Sequence, residues 1–165
     1  PMNSDFWLVA LSNTFHLLAT IVWIGWSALL PLVVAPNLAE AFQEGNWRAM
    51  IMRRLPLAYG SIIVLWATGM LQMSANENYE GMLAVTNVWS VLLLVKHLLI
   101  LASIVLMVYL GQQLSPALRL ALRRDALGKE NRRAVLEARF GRVAWLNLAV
   151  CIAILAATGL LTAVP

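Results

Sequence analysis

The chain has almost no cysteine, little charge and very few titratable groups in its apolar parts. Its one cysteine, Cys151, lies inside the last apolar run. A disulfide framework and a CxxC metal pair are therefore excluded, and Cys151 reads as a small packing residue. Charged residues are 12% of the chain, about half the 25% of a soluble domain. Of the 8 Asp and Glu, only Asp5, at an edge, falls within the four long apolar stretches. Paired carboxylates for acid–base work, a nucleophile triad and a glycine-rich phosphate loop are all missing.

What is present is apolar. Hydrophobic residues make up 61% of 165 residues and mean hydropathy is +0.77. That balance predicts an integral membrane protein forming one domain over 1–165. Of the 12 Lys and Arg, all but Lys96 fall in two segments. One holds Arg48, Arg53 and Arg54. The other holds Arg119, Arg123, Arg124, Lys129, Arg132, Arg133, Arg139 and Arg142. Basic residues stay on the cytoplasmic side of a membrane, so both segments are expected inside and both termini outside. The net charge of +4 is then topological, with the lipid bilayer and its anionic headgroups as neighbours and no nucleic acid. The first apolar run lacks a basic leader, so it is expected to be retained as a helix.

Periodicity and turn signals predict an all-α fold, a four-helix up-down bundle in the membrane. Its helices cover 5–34, 55–73, 88–113 and 130–163. Pro31 should kink the first and Pro36 should end it. Pro56 suits the first turn of the second, and Thr86 or Asn87 caps the third. Ser115-Pro116 should break the chain into a separate amphipathic helix over 116–127 on the inner surface. Its apolar face is Leu118, Leu122 and Ala126. Small residues such as Gly25, Ser27, Ser61 and Ser103 would let helices approach closely.

Three buried polar residues stand out. The only 2 histidines, His16 and His97, each follow their helix start by 11 residues, about 16 Å at 1.5 Å per residue. Ionisable groups at such depth point to function. Two imidazoles at one level, on helices that both face a bundle interior, suit the axial positions of a haem iron. The plainer alternative is that each bonds a nearby carbonyl or hydroxyl; Thr20 and Ser90 are within reach along the helices. Lys96 needs a counter-anion, and none of the apolar runs supplies one. Its partner would be a cofactor propionate, an anionic substrate or another subunit; the plainer alternative is snorkelling.

Methionines and tryptophans carry weaker signals. Met70 and Met73 form an MxxM pair, with Met82 in the following connection, and thioethers favour copper(I). Ordinary packing is the simpler account. Trp7 and Trp89 are expected in an outer belt and Trp47 and Trp145 in an inner one. Trp23, Trp26 and Trp66 lie deeper, where they would flank a planar cofactor or pack.

Four segments resemble a known superfamily. "FHLLATIVWIGWSALLPLVVAP" is similar to the opening helix of the copper resistance D family and of the small membrane protoporphyrinogen oxidase of bacteria, a His followed by W-x-G. "MRRLPLAYGSIIVLWATGMLQM" resembles their second helix, "VWSVLLLVKHLLIL" the third with its intramembrane Lys, and "RFGRVAWLNLAV" the start of the fourth. The resemblance implies that His16 matches the histidine associated with haem b and Lys96 the third-helix lysine. It also implies the bacterial cytoplasmic (inner) membrane. His97 has no counterpart there; its role is inferred from depth. The oxidase has an Arg after the first-helix proline where this chain has Leu32, so the resemblance extends to the superfamily rather than to that reaction.

The expectation is a haem b membrane protein, with His16 and His97 on the iron (the metal) and Lys96 on a propionate or anionic substrate. It would serve electron transfer or oxidoreductase chemistry on a small molecule, with a redox partner protein or quinone. One alternative is a copper-transport or copper-resistance protein using Met70, Met73, Met82 and His16. Another is a structural subunit of a homo-oligomer or larger membrane complex.

Overall fold

The computed structural model describes residues 4–42, 55–76, 79–81, 83–125 and 132–164. Among them the chain is all-helical, with no strand. Arg48, Arg53, Arg54, Trp47, Met82, Ala126 and Lys129 lie outside the described residues.

Helix α1, Ser4–Leu29, runs into a π turn, Leu30–Val34, then a 3-10 turn, Ala35–Asn37, and a short helix α2, Leu38–Ala41. Helix α3 is Leu55–Ser74, and α4 is Val88–Val108. A second π turn, Tyr109–Leu114, joins α4 to α5, Ser115–Asp125. Helix α6 is Arg133–Ala163. Four helical stretches are long and apolar enough to cross a membrane: Phe6–Ala41, Pro56–Ser74, Val88–Arg124 and Arg133–Ala163. Large apolar side chains cover their outer faces, among them Ile21, Ile63, Leu101 and Ile152. The protein is a multi-pass membrane protein.

The first helix ends where Pro36 is expected to end it: after the 3-10 turn, Asn37 leaves helical geometry, with φ −132° and ψ 43°, and α2 starts anew. Ser115-Pro116, by contrast, does not stop its helix. A proline cannot donate to the carbonyl four residues back, and its ring crowds that carbonyl. A π turn widens the helix just before each proline. After Pro31, the Ala35 N–H reaches Leu30 O, five residues back. Beside Pro116, the Ser115 hydroxyl donates to Leu110 O at 2.7 Å. Past Pro116 the chain therefore bends and continues. The described part of the 116–127 segment, up to Asp125, is not a detached surface helix: Leu118 is fully buried and Ala121 nearly so, and α5 packs on α6. Arg119 lies over the Phe42 ring, 5.0 Å from its centroid. The α4 cap is Asn87, whose Oδ1 accepts from the Ser90 N–H at 2.7 Å.

Helix α1 packs against α3, and α4 against α6; α6 also touches α1 and both π turns. Asn13 meets Gln72 and His16 meets Thr68, so the first pair is antiparallel. Ser103 meets Asn147 while Leu93 packs near Leu161, so the second is antiparallel too. Lipid tails are as apolar as leucine, so such pairs are held by close packing and interhelical hydrogen bonds. The main core, built on Trp23, Leu30, Met107, Leu110, Leu118 and Phe140, sits at the basic end. Met73, Trp89, Leu93 and Leu161 form a smaller cluster at the other end.

Candidate cofactor site

His16 projects from α1 into its seam with α3. Its Nδ1 lies 2.8 Å from Thr68 Oγ1. The Thr68 hydroxyl has one proton, and Val64 O is 2.6 Å away on the same helix. A carbonyl only accepts, so that proton goes to Val64 and the Thr68 oxygen accepts from His16. The imidazole therefore carries its proton on Nδ1, and Nε2 keeps its lone pair. Gly69 lies beside the ring: a Cβ there would be 3.6 Å from His16 Cε1. Toward the helix start, Gln72 Nε2 donates to Asn13 Oδ1 at 3.0 Å. Ser12 Oγ reaches Thr68 O at 3.5 Å. The seam is thus a short polar ladder of Ser12, Asn13, His16, Thr68 and Gln72 in otherwise apolar helices.

His97, half-buried on α4, has a simpler arrangement. Its Nδ1 is 2.7 Å from Leu93 O, one turn back. The carbonyl again fixes the proton on Nδ1 and leaves Nε2 able to bind a metal. The two histidines are held separately and share no hydrogen bond. Thr20 bonds the His16 backbone carbonyl at 2.8 Å, not its ring. Ser90 Oγ, fully buried, has no partner among the described residues and does not reach His97.

Helices α1 and α4 share one level where Ser27 and Ser103 both bond Asn147. From that level His16 is 11 residues up α1 and His97 six up α4, about 16 and 9 Å. Their backbones thus differ in depth by about 7 Å along the helix axes.

No protein family, curated protein or solved structure matches this chain. The site must be read from its own chemistry.

Lys96 lies one residue before His97 on α4, in the apolar interior of its span. It is half-buried and has no ion pair or hydrogen bond among the described residues. The described residues contain no cluster of three or more His, Cys, Asp or Glu. A porphyrin supplies four equatorial nitrogens itself and asks the protein only for axial ligands and partners for its propionates. One or two imidazoles with Nε2 open, and a half-buried lysine on the helix of His97, fit that demand.

Of the candidate copper ligands, Met70 and Met73 have different surroundings, and Met82 lies outside the described residues. Met73 is buried among Trp89, Leu93 and Leu161, while Met70 is on the exposed side of α3. Tryptophan placement also differs from expectation. Trp89 is buried against Tyr79, with ring centroids 6.4 Å apart, rather than facing the belt. Trp66 is 68% exposed on the outer face and flanks nothing inside. Trp23 is buried and Trp26 half-buried in the main core.

Sequence reasoning missed Thr68, Gln72 and Asn147. Each was visible as a polar residue within an apolar stretch. None was titratable, and a search for ionisable groups passes over neutral hydroxyls and amides.

Proposed function

We propose that this chain is a membrane haem b protein in which His16 ligates the iron through Nε2 and Lys96 pairs with a propionate. One observation carries the reading: an imidazole fixed with its metal-binding nitrogen open, in an apolar bundle whose half-buried Lys96 has no ion pair among the described residues. His97, also with Nε2 open but about 7 Å from the level of His16 along the helix axes, is the candidate second ligand, which the His97→Ala arm below decides. Haem b held this way supplies one-electron transfer, to a redox partner protein or a quinone, or in small-molecule oxidoreduction. The chain's own part is to hold the ring and balance the propionate charge. It also keeps water out with the apolar faces of α1 and α4. The helices form an up-down bundle with both termini outside and the basic segments in the cytoplasm, in the bacterial inner membrane. The split of basic residues supports that orientation. The resemblance to the copper resistance D and membrane protoporphyrinogen oxidase proteins is consistent with this assignment.

The test is an absorption spectrum of the purified protein, oxidised and dithionite-reduced, with metal analysis. A six-coordinate low-spin b-type spectrum, lost in His16→Ala, is expected. Full haem retention in His97→Ala overturns the His97 assignment alone. Copper in stoichiometric amount without haem overturns the reading in favour of copper handling. Neither haem nor copper leaves a structural subunit.

A further inference from the structure

We infer that Thr68 is the positioning residue of the His16 site: its hydroxyl, oriented by Val64, holds the imidazole in the Nδ1–H form and turns Nε2 away from α3 as the binding atom. The inference deepens the haem reading and rests on it for the identity of the ligand. The tautomer itself does not depend on haem.

The geometry is a relay of two hydrogen bonds. Thr68 Oγ1 donates to Val64 O at 2.6 Å and accepts from His16 Nδ1 at 2.8 Å. Reversing the second bond would leave the hydroxyl oxygen facing the Val64 carbonyl with no proton between them. Two oxygens at 2.6 Å without a shared proton repel. The relay therefore has one direction, set by the α3 backbone. Metal-ligating histidines are commonly fixed this way, by an acceptor on the other ring nitrogen. A hydroxyl that has already given up its proton is neutral, so it orients the ring without making it an imidazolate.

Thr68 is 8% exposed, so no water replaces a lost hydroxyl readily. Gly69, the next residue, leaves space beside Cε1. A threonine and a glycine in succession thus give the ring its acceptor and its room. His97 contrasts with this: its acceptor is the Leu93 carbonyl, which no side-chain change removes.

The experiment uses the full-length protein in detergent or nanodiscs, as wild type, Thr68→Val and Thr68→Ser, each with His97→Gln so that one histidine remains. Nitrogen-15 NMR of the histidine-labelled, haem-free protein reads the tautomer. We expect Nδ1–H in wild type and Thr68→Ser, and a mixed or Nε2–H population in Thr68→Val. An unchanged Nδ1–H signal in Thr68→Val overturns the inference. Haem titration then follows on the same three variants with His97 restored. Thr68→Val should bind at least tenfold more weakly or show a displaced Soret band, with Thr68→Ser near wild type. If wild type binds no haem, the haem reading fails while the NMR arm still decides the role of Thr68. If wild type binds haem and all three variants match in affinity, spectrum and potential, the positioning role fails while the haem reading stands.

Discussion

Asn147 donates from its side-chain nitrogen to Ser27 Oγ at 3.0 Å, joining α6 to α1 across 120 residues of sequence. Ser103 Oγ from α4 donates to the Asn147 carbonyl oxygen at 2.9 Å. Ser27 passes its own proton to Trp23 O at 2.9 Å. One asparagine thus ties three helices, and all three side chains are fully buried. Each bond has its donor and acceptor in place, the condition under which a buried polar network stabilises rather than costs. Asn147→Ala should destabilise the fold by about 1–2 kcal/mol, the scale of interhelical bonds in membranes. Thermal unfolding in detergent, in a double-mutant cycle with Ser27→Ala, measures it. Additive effects would show that the two residues are not coupled.

Gly69 yields a graded test of the space beside His16. A Cβ there meets Cε1 at 3.6 Å, an ordinary contact. Gly69→Ala should leave the fold and any haem spectrum intact. Gly69→Leu extends atoms into the ring and should shift the Soret band or reduce haem content more than tenfold, with the helix content by circular dichroism unchanged. Identical spectra for wild type and Gly69→Leu would mean that the ring does not stay where it is seen.

The four spans were readable because membrane residence sets composition before it sets anything else. The ends of α3 differ from expectation by no more than a residue. What was unreadable turned on local backbone geometry. Pro36 is an ordinary stop signal and acts as one, whereas Ser115-Pro116 is another that does not stop its helix, which only the π turn ahead of it explains. Lys96 and His16 stood out because charge in an apolar run is costly. Thr68 did not, because a threonine in such a run satisfies itself on a carbonyl one turn back, as Thr14, Thr20 and Thr158 do here. Which of these hydroxyls also receives a histidine depends on how α1 and α3 pair. The same holds for Ser27 and Ser103. Their smallness was legible, and their bonds to Asn147 required the packing.

Topology can be tested with single cysteines, because the native one is easily removed. Cys151 is fully buried with Sγ 3.5 Å from Ser103 Oγ, so Cys151→Ala should cost little and leave no background. In that chain, Thr162→Cys should react with a membrane-impermeant maleimide on intact cells. Arg124→Cys should react only after permeabilisation. Both positions are exposed. The opposite pattern would invert the protein and with it every assignment of inside and outside.

Lys96 is the most exacting of the site residues, because its charge has to be met. It is half-buried on α4 and without an ion pair among the described residues. If a propionate meets it, Lys96→Met should fold at least as well as wild type, since it keeps the length and removes a costly charge. Its haem affinity should fall by about 2 kcal/mol, roughly thirtyfold in Kd, because the propionate loses its counter-charge in a medium of low dielectric. Lys96→Arg should restore part of this, since the charge returns but the planar guanidinium is bulkier than the ammonium. Haem titration with melting curves on the three proteins separates the outcomes. Raised stability together with unchanged affinity and potential in Lys96→Met would mean that the lysine only snorkels toward water along α4. The propionate would then need another partner.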